Sequence, residues 1–168
     1  MWITETATNL ATLPCNLDWY DDIAIDVAKR YTRAFSEGVD KIFWFGFVST
    51  PTKQEDPMGI ECGGQHYFNM GGLGWSLKGT VDYHPRPAYT AYKTMTSKLA
   101  GFSSVTKITD TQYKFIVNGK SVYVLWGSGN IPSEITGTVK VTDYLGNEQT
   151  MDASQIVLTD SPIFVEGS

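Results

Sequence analysis

The sequence predicts an α/β region with parallel strands, followed by an all-β module. A run with helical spacing lies between two short strand-like segments near the start of the chain. A long segment rich in glycine and aromatic residues follows, and the last third consists of short alternating runs, which indicate antiparallel strands. The pattern changes near Gly101, so we predict one region over residues 1–101 and a second over residues 102–168.

The first 47 residues read as strand, loop, helix, turn and strand. Residues 2–5 form the first short strand, and the apolar run KIFWFGF (41–47) is typical of a strand buried on both faces. Between them, apolar side chains recur every three or four residues, and Gly38 ends this helix. The side chains that set the period are Tyr20, Ile23, Val27, Tyr31 and Phe35. Strand–helix–strand units of this kind join parallel strands.

Residues 48–86 have no clear period, and a loop of this length in a compact domain is usually functional or disordered. Its aromatic residues argue against disorder. The segment RPAYTAYKTMTSKLAG then predicts a second helix, with Pro87 in its first turn and Gly101 at its end.

The last third of the chain predicts antiparallel hairpins. YKFIVNGKSVYVLW is two alternating runs about Asn118 and Gly119, a strong hairpin signal. TGTVKVTDYLGNEQTM predicts another strand pair, and SQIVLT and PIFVEG predict two further strands.

Composition excludes several classes of function. The net charge is -5 and the longest basic run is the pair Lys29 and Arg30, which argues against nucleic acid or an anionic membrane as partner. The apolar runs are too short to span a membrane, and no signal peptide is visible, so localisation is left open. Cys15 and Cys62 either pair or stay as free thiols, and their spacing does not predict a metal site.

Several segments together resemble the C-terminal quarter of a clan A glycoside hydrolase. These are the strand ending in ITET, the helix after it, GVDKIFWF, the glycine- and aromatic-rich loop, RPAYTAYKTM and the final β module. The resemblance spans the whole chain. It implies the last two β/α units of a (β/α)8, or TIM, barrel, followed by a small antiparallel β-sandwich. Enzymes of this kind are often secreted.

The resemblance implies a site at the ends of the parallel strands. Glu5 would be the nucleophile of a retaining glycosidase, which hydrolyses O-glycosidic bonds through a covalent glycosyl-enzyme and needs no cofactor or metal. Trp44 would form the floor of a sugar subsite, with His66, Tyr67 and Trp75 as further sugar contacts. From the residues alone, each also has a structural reading: Glu5 as a structural carboxylate, Trp44 as core, and His66 as an ordinary loop residue.

The chain departs from this family in supplying only two barrel strands and no acid/base glutamate on an earlier strand. Asn147 and Glu148 lie in a predicted turn of the sandwich, so the acid/base role is not assigned to Glu148. We therefore expect Met1 to open a fragment that docks onto a complementary N-terminal portion or associates with itself. Two other functions remain: a carbohydrate-binding accessory module and an inactive remnant.

Overall fold

The computed structural model describes residues 1–6, 19–44, 48–49, 74–75 and 83–167 of the chain. Within these ranges two α-helices and eleven strands follow one another along the sequence. The elements are β1 (Trp2–Thr6), α1 (Trp19–Ser36), β2 (Lys41–Trp44), β3 (Val48–Ser49), β4 (Gly74–Trp75), β5 (His84–Pro85), α2 (Pro87–Leu99), β6 (Phe102–Thr109), β7 (Gln112–Val117), β8 (Lys120–Leu125), β9 (Thr138–Asp143), β10 (Glu148–Asp152) and β11 (Ile163–Gly167).

Both helices form where the spacing of apolar residues predicts them. The buried stripe of α1 includes Ile23, Val27 and Tyr31, and small alanines beside them allow close packing. The helix ends at Ser36, and Gly38 in the turn after it adopts a φ of 79°. Residues with a side chain adopt this left-handed conformation only at a cost in free energy. Pro87 opens α2, where its missing N–H leaves no helical hydrogen bond unmade.

Six strands form one antiparallel sheet in the order β10-β9-β11-β8-β7-β6. Hairpins join β6 to β7 and β7 to β8, and β11 lies between β8 and β9. The turn between β7 and β8 has Asn118 at a φ of 50° and Gly119 at 77°, so the predicted hairpin is confirmed. The predicted pair about DYLGN is confirmed as β9 and β10.

The two faces of this sheet are buried by different parts of the chain. Side chains alternate along β8, so that Val122 and Val124 face one cluster while Tyr123 and Leu125 face the other. Both helices and β2 pack on the first face. The second face is covered by the segment after β8 and by a short 3-10 helix at Ala153–Gln155. The first cluster, which we call the main core, contains residues from both sides of Gly101.

The fold class implied by the resemblance is wrong. The described chain is mostly sheet, with two helices, a two-stranded parallel sheet and a six-stranded antiparallel sheet, rather than two β/α units of a TIM barrel with a β-sandwich. The strands after Gly101 all hydrogen-bond edge to edge into one sheet, so the packing opposite it is made by α1 and α2 instead of by a second sheet. Alternating runs predict strands with a buried face, but they do not specify whether helices or a second sheet bury that face.

Two smaller predictions are also corrected. The segment SQIVLT does not form a strand, because its first residues belong to the 3-10 helix, where the Asp152 carboxylate accepts a hydrogen bond from the backbone N–H of Ser154 at 2.9 Å. The predicted strand at 41–47 is observed as Lys41–Trp44, and residues 45–47 lie outside the described ranges. PIFVEG is confirmed as β11.

Candidate functional site

The candidate site lies where the parallel strands β1 and β2 end. The strands pair in parallel, with Trp2 opposite Lys41 and Ile3 opposite Ile42. Because both strands run in the same direction, their carboxyl ends meet at one edge of the layer. Thr6, the last residue of β1, pairs with Trp44, the last residue of β2.

The pairing shifts register immediately before this edge. Between the paired positions, β1 contains two residues, Thr4 and Glu5, where β2 contains only Phe43. An extra residue of this kind bends the strand and re-aims the residues around it, and such irregularities are frequent beside active sites. Glu5 therefore occupies an irregular position at the carboxyl end of β1, directly before the residue that pairs with Trp44.

Arg30 of α1 fixes the end of β1. Its guanidinium donates a hydrogen bond from Nη1 to the Thr6 hydroxyl at 3.2 Å. The same guanidinium donates from Nη2 to the Asp26 carboxylate at 2.7 Å and from Nε to that carboxylate at 3.0 Å. Asp26 lies one turn earlier in the helix, and its carboxylate orients the guanidinium that binds the end of β1. The carboxyl end of β1 is thus anchored to the helix layer one residue after Glu5.

Trp44 lies in the main core and is only 3% exposed. Its indole stacks on the ring of Tyr31, with the ring centroids 6.3 Å apart and the planes 22° apart. Burial, and then the neighbouring Tyr92, raise the pKa of the Tyr31 phenol above its usual range. The indole therefore packs the helix layer against β2, and the sugar-contact role of Trp44 stays a prediction.

The remaining predicted sugar contacts are only partly described. Trp75 lies in β4, which pairs in parallel with β3 and antiparallel with β5. His66 and Tyr67 lie outside the described residues, as do Cys15 and Cys62. The three-stranded sheet that holds Trp75 begins at Val48, four residues after Trp44. Four residues span at most about 14 Å, which places this sheet near the end of β2.

An apolar groove opens beside β2, and we call it the β2 groove. It has a volume of about 330 Å³ and lies between β2 and the last turns of both helices. Phe43 is 51% exposed at this strand, and Trp2 of β1 is 60% exposed. The larger side chains that line the groove are Tyr31, Phe35, Ile42, Phe43, Tyr92, Met95, Leu99 and Phe102.

Sequence reasoning missed a pair of tyrosines at the start of α2. Tyr83 and Tyr89 meet edge to face, with ring centroids 6.0 Å apart, and each ring is about 40% exposed. Arg86, between them in sequence, is buried at the helix start. Tyr89 lies off the buried face of α2, where Tyr92 packs against the main core instead. The helical period could have revealed this, since Tyr89 falls off the stripe of Ala88 and Tyr92.

The described ranges contain neither a group of side chains placed to hold a metal nor a helix that could span a membrane. Within them, no group of three or more histidine, cysteine, aspartate or glutamate side chains is placed to hold a metal ion. Neither α1 nor α2 is a helix both long and apolar enough to cross a membrane. Comparisons of the chain with known protein families, with curated proteins and with solved structures returned no match.

Proposed function

We propose that this chain supplies the nucleophile, Glu5, of a retaining glycoside hydrolase. The observation that supports the proposal is the position of Glu5 in the register shift at the carboxyl end of β1, beside the end of β2. In sheets with parallel strands, ligands bind outside the carboxyl ends of the strands. A carboxylate at such an end is well placed to attack a bound sugar.

The chemistry needs two carboxyl groups. A Glu5 carboxylate oxygen attacks the anomeric carbon, the bond from that carbon to the leaving oxygen breaks, and an acid protonates the leaving oxygen. Water then attacks the anomeric carbon of the glycosyl-enzyme and gives its proton to the conjugate base of that acid, and the bond to Glu5 breaks, which releases the sugar and restores both carboxyl groups. In retaining enzymes the two carboxyl groups lie about 5 Å apart. The proposal assigns only the nucleophile to this chain and leaves the acid to a complementary polypeptide.

The surroundings of β2 support a complementary polypeptide as partner. In the part of the chain that the structure describes, β1 and β2 pair only with each other. A two-stranded sheet is marginal in water, and an open strand edge pairs readily with another strand. Exposed Phe43 and the β2 groove add apolar surface to that edge. We expect the isolated chain to elute from size-exclusion chromatography as oligomers, and a monomer with a cooperative melt would contradict this.

An activated substrate tests the nucleophile independently of the missing acid. A 2,4-dinitrophenyl glycoside releases a phenolate that needs no protonation, so the first step depends on the nucleophile alone. The chain is assayed alone and together with any polypeptide encoded in frame directly upstream of it, with glucosides, xylosides and mannosides. We expect release of dinitrophenolate in at least one of these combinations, with retention of configuration at the anomeric carbon.

Two variants separate catalysis from folding. Glu5→Gln keeps the shape of the side chain and removes the nucleophile, so it should abolish release. Glu37→Gln, a matched change in the exposed turn after α1, should leave release unchanged. Equal rates for Glu5→Gln and the unmodified chain would overturn the proposal, and so would the absence of release from every substrate in both preparations.

A further inference from the structure

Two tyrosine rings form an exposed corner at the amino end of α2. Tyr83 immediately precedes β5, and Tyr89 lies in the first turn of α2. The rings are inclined at 71° with centroids 6.0 Å apart, and both residues are about 40% exposed. We call this pair the tyrosine corner.

The tyrosine corner is held by rigid neighbours. Arg86 is only 5% exposed, and its backbone carbonyl accepts a hydrogen bond from the Tyr89 N–H at 2.9 Å. Pro87 fixes the backbone at the first helical position. On the other side, β5 pairs with β4, which ties the residues after Tyr83 to the three-stranded sheet. A preorganised aromatic surface loses little conformational entropy when it binds a ligand.

The directions of the helices place the corner at the same end of the layer as Glu5. Because β1 and β2 are parallel, α1 runs back between them and begins at the end where β1 finishes. Tyr31 contacts Tyr92 at 5.6 Å, and one turn later Phe35 contacts Phe102, beyond the end of α2, at 5.1 Å. The two helices therefore run in the same direction. The amino end of α2 lies at the end of the layer where β1 and β2 finish.

The chemistry of the corner suits a sugar ring. The apolar C–H face of a pyranose stacks on an aromatic ring, while phenol hydroxyls exchange hydrogen bonds with sugar hydroxyls. A tyrosine phenol is protonated at neutral pH and can donate a hydrogen bond there, and partial burial, and then the neighbouring Tyr89, raise the pKa of Tyr83 further. Tyr31 lies in the main core and Tyr92 packs against it, whereas Tyr83 and Tyr89 are both about 40% exposed.

We infer that the tyrosine corner is a sugar-binding subsite for an uncharged pyranose, located at the same end of the parallel strands as Glu5. This inference rests on the proposed function, because it names a subsite of that glycosidase. It assigns a stacking role to Tyr83 and Tyr89, which are both about 40% exposed.

Binding of neutral oligosaccharides by the full chain tests the inference. The probes are β-1,4-linked tetrasaccharides of glucose, xylose and mannose. Their binding is detected by saturation-transfer NMR, and their affinity is measured by titration. We expect Tyr83→Ala and Tyr89→Ala each to weaken binding about three- to tenfold, the range for loss of one aromatic contact. Trp2→Ala is the matched control, because this exposed indole lies at the amino end of β1, opposite to the carboxyl end where Glu5 lies.

The outcomes separate this inference from the proposed function. The subsite is overturned if both tyrosine variants keep the affinity of the unmodified chain, or if Trp2→Ala loses as much affinity as they do. It is also overturned if the unmodified chain binds none of the probes. If the chain binds sugar through the corner but does not release dinitrophenolate, only the nucleophile role of Glu5 is contradicted and the subsite stands. Circular dichroism confirms that each variant keeps its fold, as expected for changes at exposed rings.

Discussion

Replacing Phe115 with alanine tests whether the helices and the large sheet share one core. Phe115 lies on β7 and is completely buried. Its ring meets Phe102 edge to face at 5.2 Å, and Phe102 in turn meets Phe35 of α1 at 5.1 Å. The chain of contacts therefore runs from β7, the second strand from one edge of the sheet, to the end of the first helix.

The expected loss of stability follows from this burial. Truncation of a fully buried phenylalanine to alanine costs about 3–5 kcal/mol, which includes about 0.5–1.5 kcal/mol for the ring pair with Phe102. With a urea dependence of about 2 kcal/mol per molar, a loss of about 4 kcal/mol lowers the unfolding midpoint by about 2 M urea. Ile108→Ala on β6 is the control, because Ile108 is 39% exposed and its truncation should change stability by less than about 0.5 kcal/mol.

Urea unfolding followed by circular dichroism and by amide hydrogen exchange measures the effect. If the core is shared, Phe115→Ala lowers one common transition, and amide exchange accelerates in peptides of α1 as well as in those of β7 and β8. The reasoning is refuted if exchange in α1 stays unchanged while the sheet is destabilised, because the helices would then have a core of their own.

Two further changes probe the contacts between α2 and the strands around it. Thermal melts should show that Gly146→Ala destabilises the protein more than Gly119→Ala does. Both glycines have a positive φ, so a side chain costs about 1–2 kcal/mol at either position. In addition, a Cβ at position 146 would lie 2.9 Å from the Thr94 hydroxyl, whereas one at position 119 meets open space. Lys98, whose side chain is 10% exposed, binds Glu148 at 2.8 Å and holds the glutamate pKa below its usual value. The stability that this ion pair contributes is fully present above the ordinary glutamate pKa and is lost as the pH falls through the lowered pKa of Glu148. Lys98→Met should therefore make the stability of the protein fall less steeply with decreasing pH. An unchanged dependence of stability on acidic pH would contradict this.

Local patterns in the sequence predicted both helices and most strands of the large sheet, but not β6 or the short strands β3, β4 and β5. Helical spacing from Ile23 to Phe35 predicted α1, and Asn118 with Gly119 predicted the central hairpin. The assembly of the strands could not be read in this way. Residues 122–126 are buried on both faces, and that pattern is the same whether helices, loops or a second sheet provide the cover.

The position of Glu5 at the end of a strand was predictable from the sequence, but the structure around it was not. A carboxylate at the end of an apolar strand drew attention to Glu5, and the strand end is where the structure places it. The register shift before Thr6 depends on pairing with β2 and on the anchor from Arg30, both of which come from distant sequence. The exposed tyrosine corner depends on the rotation of α2, which places Tyr92 inward and Tyr89 outward.

Identification of a covalently modified residue tests the central claim most directly. The chain, alone and with any polypeptide encoded in frame directly upstream, is incubated with 2,4-dinitrophenyl 2-deoxy-2-fluoro-glycosides, which slow hydrolysis of the glycosyl-enzyme. Peptide mapping by mass spectrometry then locates the sugar. We predict one glycosyl group, esterified to the carboxylate of Glu5 and absent from Glu5→Gln. A sugar on any other residue, or an unmodified chain in both preparations, would contradict the assignment.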